Sequence, residues 1–232
     1  MLVAGFPSAV FGTNCFVVAP GPGQECLVID PGIEVTATLA EVLAEHRLRP
    51  AAVLLTHGHV DHVWSVTPVC GAHGVAAWIH TDDRYRLVDP LHALDPGLIA
   101  ALEQQFGARA TWAEPDDVRT VVDGEHLGLA GLDVEVRHAP GHTEGSVMFR
   151  LPGAPDGAEA DSTLFAGDVL FAGSIGRTDL PGGDGRAMMR SLREQVLSLP
   201  DDTLVLPGHG SVTTVARERA TNPYLAQAAQ AG

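Results

Sequence analysis

The chain has 232 residues, of which 45% are apolar, and this is enough to bury a sizeable core in one domain. Its formal charge is −15, with 14 basic against 29 acidic side chains, which argues against a surface for nucleic acid or for an anionic membrane. Every basic side chain is an arginine, so a site that binds an anion must use guanidinium or backbone N–H groups.

The start of the chain and the cysteines bear on the cellular compartment. The opening residues, MLVAGFPSAVFG, lack the charged start and the long apolar stretch of a signal peptide. No run reaches the roughly 18 to 20 apolar residues that span a bilayer. Cys15, Cys26 and Cys70 form no CxxC spacing, and we expect them to be reduced packing residues. These features predict a cytoplasmic protein.

In the first half of the chain, short apolar runs alternate with turn signals and helical patterns. Strands are predicted at 14–19, 25–30, 51–56 and 75–80, with helices at 35–48 and through Cys70. A further helix is predicted at 96–107. It lies within the stretch 89–118, which we expect to be an insertion or a lid.

The second half repeats this pattern. Strands are predicted at 125–129, 132–138, 146–151, 163–167 and 203–206, with helices near 185–198 and 214–221. The Gly-, Pro- and acid-rich stretch 152–162 is interpreted as a long hairpin loop. We find no sequence repeat and no linker long enough to divide two domains, so a single domain over 1–232 is expected.

Residues 54–63, LLTHGHVDHV, place three histidines and an aspartate directly after a predicted buried strand. His57 and His59 are two apart in extended chain, so both side chains point to one side. Asp61 and His62 are expected in the first turn of the following helix. Imidazole nitrogens and a carboxylate suit Zn²⁺ and also accept iron or manganese. The pattern favours a metal site over a polar loop whose histidines happen to be close.

Three further candidate ligands each follow a predicted strand and have a glycine beside them. They are His142 in APGHTEGS, Asp168 in FAGDVLF and His209 in LPGHG. Glycine is expected where the backbone turns closely around a bound centre. Singly, each could be a loop histidine or a turn cap, but together with HxHxDH they favour a metal site. The remaining histidines are assigned to surface or packing roles: His46, His73, His80, His92, His126 and His138.

The sequence THGHVDH, followed in order by the histidine, aspartate and histidine above, resembles the ligand motif of the metallo-β-lactamase superfamily. The resemblance spans roughly residues 12–222. It implies an α+β fold: an αββα sandwich of two mixed β-sheets flanked by helices, with the metals at one edge. The implied ligands are His57, His59 and His142 for a first metal, Asp61, His62 and His209 for a second, and Asp168 as the bridge.

Within that superfamily, two segments resemble short bacterial proteins of the glyoxalase II group, the hydroxyacylglutathione hydrolases. These segments are SIGRTDLPGGD at 174–184 and LPGHGSVTTVARERATNPYL at 206–225. Only 23 residues follow His209 (232 − 209), too few for the helical C-terminal domain of full-length glyoxalase II. We therefore expect no separate glutathione-binding domain.

The expected chemistry is hydrolysis of a small acyl thioester. Two divalent ions about 3.5 to 4 Å apart can hold a bridging water, lower its pKa to near 7 and polarise a bound carbonyl. The leaving thiolate, from a thiol with a pKa near 8.5, departs without prior protonation. Asp61 and Asp168 then serve catalysis as ligands that position the hydroxide. We expect two ions, zinc first, with iron or manganese as alternatives.

Arg177 is the candidate substrate-binding side chain. It lies in a Gly-rich loop nine residues beyond Asp168, where a guanidinium could clamp a carboxylate of the thiol carrier through two N–H bonds. Alternatively, Arg177 pairs with Asp179 or Asp184 and holds the loop. The expected partner is a small-molecule thioester such as S-lactoyl-glutathione, and the sequence predicts no oligomeric state.

Three other functions remain open. A persulfide dioxygenase would use one iron held by His57, His142 and Asp168, the two-His-one-carboxylate arrangement of non-haem oxygenases. A secreted β-lactamase-type hydrolase is disfavoured because many such enzymes place Cys at the position of Asp168. A non-catalytic binding module stabilised by metal is disfavoured because structural zinc sites are typically closed and Cys-rich.

Overall fold

The computed structural model describes residues 1–91 and 113–230, together with the isolated positions 97, 99, 100 and 104. Most of the predicted insertion at 89–118, with the predicted helix at 96–107 apart from those positions, lies outside the described residues. The strands of the described part are β1 (Leu2–Pro7), β2 (Asn14–Ala19), β3 (Glu25–Ile29), β4 (Arg49–Leu54), β5 (Ala77–His80), β6 (Val118–Val121), β7 (His126–Leu129), β8 (Leu132–His138), β9 (Val147–Pro152), β10 (Ser162–Gly167), β11 (Thr203–Pro207) and β12 (Thr213–Thr214).

The helices of the same residues are short. They are α1 (Thr36–His46), α2 (Val60–Val63), α3 (Val66–His73), a 3₁₀ helix (Thr81–Leu87), α4 (Gly185–Ser191), which continues into a π-helical turn (Leu192–Val196), α5 (Val215–Thr221) and α6 (Pro223–Gln230). Among the described residues, no helix has the length and apolar character to cross a bilayer.

The strands form two six-stranded mixed sheets. The first has the order β1-β2-β3-β4-β5-β6, with antiparallel pairing up to β3 and parallel pairing from β3 to β6. The second has the order β12-β11-β10-β9-β8-β7, in which only β10 and β11 pair in parallel. Parallel pairs need crossover connections, and α1 supplies the one between β3 and β4.

Three apolar cores separate four layers. The central core lies between the sheets and includes Phe16 from the first sheet and Phe149 and Phe165 from the second. The rings of Phe16 and Phe165 meet edge to face with centroids 5.3 Å apart. Full burial of one such side chain contributes about 1.5–3 kcal/mol. The other two cores pack α1 and α3 on the first sheet, and α4 to α6 on the second. The arrangement is the predicted αββα sandwich.

Strand direction explains why polar residues gather at one edge. β3 and β4 run in parallel, so the residues after Ile29 and Leu54 emerge at the same end of the first sheet. In the second sheet β10 and β11 are parallel, and β8 runs in their direction because two antiparallel pairings separate it from β10. A backbone bond from the Val147 N–H to the Thr56 carbonyl, 2.8 Å long, joins the two sheets at this edge.

Candidate metal centre

All seven predicted ligands follow strands that end at this shared edge. His57 and His59 lie between β4 and α2, and α2 carries Asp61 and His62. His142, Asp168 and His209 follow β8, β10 and β11, respectively. Their donor atoms form overlapping groups in which every atom lies within 4.8 Å of the others: His57, His59 and His142; His57, His62 and Asp168; Asp61, His62 and His209.

The first group consists of three imidazoles whose rings stand almost perpendicular to one another. His59 Nδ1 lies 2.8 Å from His142 Nε2. The His57 ring centroid is 4.8 Å from that of His59 and 4.7 Å from that of His142. Three nitrogen atoms can therefore point at one centre, which is the arrangement of a His₃ metal site.

The group of Asp61, His62 and His209, which we call the second group, combines one carboxylate with two imidazoles. Asp61 Oδ2 lies 3.6 Å from His62 Nε2 and 3.3 Å from His209 Nε2. The hydroxyl of Thr13 donates a hydrogen bond of 2.8 Å to the same carboxylate oxygen. This bond holds Asp61 towards the two histidines.

Asp168 contacts both groups. Its Oδ1 lies 3.3 Å from His62 Nε2, and its Oδ2 lies 3.5 Å from His142 Nε2 and 3.5 Å from His209 Nε2. One carboxylate therefore has an oxygen near donors of each group, which is the geometry that a bridging ligand requires.

Hydrogen bonds behind the imidazoles fix which nitrogen faces the centre. His142 Nδ1 donates to the Arg177 carbonyl over 2.8 Å, and His209 Nδ1 donates to the Phe11 carbonyl over 3.2 Å. Because a carbonyl can only accept, Nδ1 carries a proton in both rings, and in the neutral form of each ring Nε2 keeps its lone pair. Partners of this kind orient a metal-binding histidine and increase its basicity.

Asp30 performs the same task for the first sheet's histidines. It accepts hydrogen bonds from the Thr56 backbone N–H, 2.8 Å, and the Thr56 hydroxyl, 2.7 Å. It also accepts from His62 Nδ1 over 2.9 Å. Because the Thr56 hydroxyl donates to Asp30, it accepts from His57 Nδ1, 3.0 Å away. His57 and His62 are thereby left with Nε2 free to face the centre.

Three of the donor atoms at the centre form no hydrogen bond. They are His57 Nε2, His62 Nε2 and Asp168 Oδ1, all of them buried, and the last two lie 3.3 Å apart. An unsatisfied buried polar atom costs about 1–3 kcal/mol, more when it is charged. Divalent cations would satisfy all three, and the mixture of imidazole nitrogen and carboxylate oxygen suits zinc, iron or manganese. The residues therefore fit a pair of divalent cations.

Burial and neighbouring charges shift the pKa of these groups in two directions. Burial, with neighbouring His142, lowers the pKa of His59 to about 3, and burial also lowers the pKa values of His57 and His142. Burial opposes protonation of His62 and His209 too, but neighbouring carboxylates raise the pKa of both. The first group is thus held neutral, as metal binding requires.

Two glycines let the backbone approach the centre closely. A Cβ atom at Gly208 would overlap the carboxylate of Asp168, and one at Gly176 would overlap that residue's backbone carbonyl. The glycine next to His209 was part of the predicted motif, and its role here is steric.

A cavity of about 270 Å³ opens above the donor groups. Its wall includes His59, Asp61, His142, Asp168 and His209, with Phe11, Val60, Leu180 and Arg177 around them. The cavity wall therefore combines ligand-type groups with apolar side chains.

Of the two contacts predicted for the Arg177 side chain, the structure shows the ion pair within its own loop. Its guanidinium forms a bidentate pair with Asp179, with bonds of 2.7 and 2.8 Å, and its side chain is 62% exposed. This is the loop-holding interaction that the sequence offered as the alternative. The same residue lines the cavity, and its backbone carbonyl orients His142. Binding of substrate by its side chain stays a prediction.

Sequence reasoning missed the residues that orient the ligands. The sequence pattern places Asp30 and Thr56 at the ends of predicted strands and gives no role to Thr13. Asp30 had a recognisable signal, because it ends an apolar strand that runs parallel to the strand before His57. The hydroxyl contacts had none, since Thr13 is 48 positions from Asp61.

The other histidines lie elsewhere. His80 and His138 stack with ring centroids 3.9 Å apart and an interplanar angle of 11°, and His126 is exposed and pairs with Asp133. Asp82 completes a further group of possible donors with the stacked pair, but parallel rings do not direct their lone pairs at one point. His92 lies outside the described residues.

A family model and several known proteins match most of the length of this chain. A family model for the metallo-beta-lactamase superfamily matches residues 9–209. An uncharacterized protein of Mycobacterium tuberculosis is 44% identical, over 97% of this chain and 98% of its own. The hydroxyacylglutathione hydrolase GloC of Haemophilus influenzae is 34% identical, over 94% and 95%. The mitochondrial persulfide dioxygenase ETHE1 of Bos taurus is 28% identical, over 92% and 71%.

Two similar solved structures cover nearly the whole chain. The B3 metallo-beta-lactamase BLEG-1 has a TM-score of 0.78 and 34% identity, over 97% of this chain and 99% of its own. TTHA1623, solved in a di-iron-bound form, has a TM-score of 0.73 and 37% identity, over 95% and 99%. With the fold and the donor groups described above, the family match over residues 9–209 shows that the chain belongs to the metallo-beta-lactamase superfamily.

Proposed function

We propose that the protein is a metal-dependent hydrolase of small acyl thioesters, of the hydroxyacylglutathione hydrolase kind. The superfamily consists generally of hydrolytic enzymes that bind divalent metals. The observation that carries the finer proposal is the position of Asp168, whose two oxygens lie near donors of both groups. A site of this form suits two ions that act together on one substrate.

The proposed ligand sets are those implied by the sequence. His57, His59 and His142 would hold one ion, Asp61, His62 and His209 would hold the other, and Asp168, whose oxygens lie near both groups, would be shared between them. A pair of divalent cations supplies Lewis-acid polarisation of a carbonyl and lowers the pKa of a water towards neutrality. Zinc is the proposed metal, with iron as the main alternative because TTHA1623 has a di-iron form and this donor set discriminates weakly between the two.

The chain's own residues hold the reacting groups in place. Asp30 and the carbonyls of Phe11 and Arg177 keep the imidazole lone pairs directed inward. The apolar side chains of Phe11 and Leu180 line the cavity, where they can contact the uncharged part of a substrate. A thiolate leaving group needs no proton from the protein, so the site requires no general acid.

Arg177 is proposed to bind a carboxylate of the thiol carrier. Its side chain is 62% exposed on the cavity wall, and its present partner, Asp179, is exposed as well. Exchange of one exposed carboxylate for another costs little, because surface ion pairs contribute only about 0–1 kcal/mol. A substrate carboxylate can therefore replace Asp179.

Persulfide dioxygenation by one iron is the second candidate. The similarity to the persulfide dioxygenase ETHE1 favours it, and the iron would use His57, His142 and Asp168. The hydrolase proposal has in its favour the higher identity to GloC and the convergence of Asp61, His62 and His209, which a one-iron reaction does not use.

Metal analysis combined with a substrate panel tests the proposal. Protein purified without added metal is analysed for zinc, iron and manganese. It is then assayed with S-lactoyl-glutathione, with the same acyl group on a thiol that lacks a carboxylate, with glutathione persulfide and with a β-lactam. The proposal predicts two ions per chain and turnover of the thioesters. A protein with one iron that consumes only the persulfide would contradict it.

A further inference from the structure

Asp83 is a fully buried carboxylate outside the proposed ligand sets. It belongs to the 3₁₀ helix Thr81–Leu87, and none of its surface is exposed. Its Oδ2 accepts from the Gly58 N–H over 2.7 Å and from the Thr143 hydroxyl over 2.8 Å. Its Oδ1 accepts from the Gly145 N–H over 2.8 Å. The carboxylate therefore accepts hydrogen bonds from two separate loops, one that contains Gly58 and one that contains Thr143 and Gly145.

The two loops are those that carry the first donor group. Gly58 lies between His57 and His59, and Thr143 directly follows His142. These loops come from different sheets and are more than 80 positions apart, yet one carboxylate binds both. Asp83 thus fixes the distance between the two halves of the three-histidine group.

Close packing leaves this arrangement little freedom. A Cβ atom at Gly145 would lie 2.5 Å from the Asp83 backbone nitrogen and 2.7 Å from its Cβ. A Cβ atom at Gly58 would lie 2.5 Å from the Arg86 Cβ. Both distances are shorter than real contacts, so the glycines are what allow the loops to reach the 3₁₀ helix.

Arg86 balances the buried charge and extends the contact to a third loop. In a 3₁₀ helix, residues three apart lie on one face, and Arg86 Nε is 3.3 Å from Asp83 Oδ1. Its Nη2 donates to Glu144 Oε2 over 2.6 Å and to the Pro181 carbonyl over 3.0 Å. A buried carboxylate is tolerated when it is paired and hydrogen-bonded in this way.

We propose that Asp83 is a positioning residue that sets the affinity of the first ion by holding His57 and His59 at the correct distance from His142. This inference rests on the proposed two-metal site. Residues that orient metal ligands through hydrogen bonds typically change metal affinity 10- to 100-fold when they are substituted. A purely stabilising Asp83 would lower the stability of the fold without changing the affinity of the folded protein for metal.

The test measures zinc affinity by competition with a chelating dye, in two backgrounds that each retain one donor group. His209→Ala weakens the second group and leaves the first, and His142→Ala does the reverse. Asp83→Asn is introduced into each background, because Asn keeps the size of Asp but offers one acceptor oxygen in place of two, so its amide cannot accept all the hydrogen bonds from Gly58, Thr143 and Gly145. Glu135→Gln is the matched control, since Glu135 is a paired carboxylate on β8 that does not line the cavity.

Asp83→Asn should weaken zinc binding at least tenfold in the His209→Ala background and less than threefold in the His142→Ala background. Glu135→Gln should change neither affinity by more than about twofold. Equal zinc affinity with and without Asp83→Asn in the His209→Ala background overturns the inference and leaves the proposed function intact. If the parent protein binds no zinc, iron or manganese, the proposed function fails first, and the inference fails with it.

A second variant covers the case in which Asp83→Asn yields no folded protein. Thr143→Val keeps the shape of the side chain and removes only its hydroxyl contacts to Asp83 and Ser146. It should weaken zinc binding at least threefold in the His209→Ala background. An unchanged affinity there contradicts the inference, because the bond from the residue next to His142 to Asp83 would then have no effect on metal binding.

Discussion

His59 Nδ1 lies 2.8 Å from His142 Nε2, although the two residues come from different sheets and are 83 positions apart. The Nδ1 atom of His142 donates to the Arg177 carbonyl, so its Nε2 presents a lone pair to the His59 ring. With the pKa of His59 lowered to about 3, His59 is neutral at pH 7. Two neutral imidazoles held at this distance can both bind the same cation.

Removal of metal should abolish activity reversibly. The donor groups predict up to two divalent ions per chain. Three of their atoms form no hydrogen bond within the fold, so we expect the folded protein to bind metal again after its removal. Dialysis against a chelator should reduce thioester hydrolysis at least 100-fold, and addition of zinc should restore it. Full activity in a chelated sample shown by elemental analysis to hold no metal would contradict the account.

Asp168→Ala should cause the largest loss of any single substitution at the site. It removes the carboxylate that contacts both donor groups, so we expect loss of at least one ion and a decrease in kcat of at least 10³-fold. His73→Ala is the control, because His73 lies at the end of α3 and belongs to none of the donor groups. If His73→Ala proved as damaging as His142→Ala, the ligand assignment would be wrong.

The fold was largely predictable because its signals are local. Apolar runs predicted β2, β3 and β4 to within a few residues, and the stretch 152–162 forms the hairpin connection between β9 and β10. The strands β1, β6 and the two-residue β12 were not predicted, and the helix predicted at 214–221 overlaps the last of these. β1 is half exposed at a sheet edge and has no strong apolar alternation, and β6 begins at the boundary assigned to the insertion.

The convergence of the candidate donor residues was predictable from the sequence, whereas the residues that orient them were not. HxHxDH places four candidate donors within six residues, and this local density makes the motif recognisable in the sequence. Asp83 had no such signal, since its partners Gly58 and Gly145 are 25 and 62 positions away and contribute only backbone N–H groups. Contacts of that kind depend on how the loops meet in the folded chain. Whether 1–232 forms a single domain, and whether 89–118 is a lid, stay predictions.

The stability of the metal-free protein should depend on His59 at mildly acidic pH. In the unfolded chain its pKa returns to 6.5, whereas in the folded chain burial holds it at about 3. The unfolded state therefore binds an extra proton between these values, so stability is lost as the pH falls from 6.5 towards 3. One pKa unit corresponds to about 1.4 kcal/mol, so at pH 5 the loss from this group is on the order of 2 kcal/mol.

His59→Gln removes that proton-binding site. In urea unfolding with a chelator present, the decrease in unfolding free energy between pH 7.5 and pH 5 should be smaller in His59→Gln than in the parent, by on the order of 2 kcal/mol. Gln is similar in size and does not titrate in this range. Identical pH dependence in the two proteins would show that the buried imidazole is not held neutral.

Arg177 and Asp179 should have opposite effects on substrate binding. Arg177→Ala should raise KM for a carboxylate-bearing thioester more than it lowers kcat, because a carboxylate far from the carbonyl is held about equally in the ground and transition states. Asp179→Asn should lower KM for the same substrate, since it frees the guanidinium from its present partner.

Neither change should matter for a thioester whose thiol lacks a carboxylate. The comparison of the two substrates separates binding by the guanidinium from a general effect on the loop. Equal KM changes for both substrates would indicate that the Arg177–Asp179 pair only holds the loop that orients His142.

The most direct test of the central claim follows the oxygen atom that enters the product. The protein is incubated with S-lactoyl-glutathione in ¹⁸O-labelled water, and the acid product is analysed by mass spectrometry while free thiol and dissolved oxygen are monitored. A hydrolase gives one equivalent of thiol, one ¹⁸O atom in the carboxylate of each product and no oxygen consumption. Inertness to the thioester, together with consumption of dissolved oxygen when glutathione persulfide is supplied, would contradict the account and identify a dioxygenase.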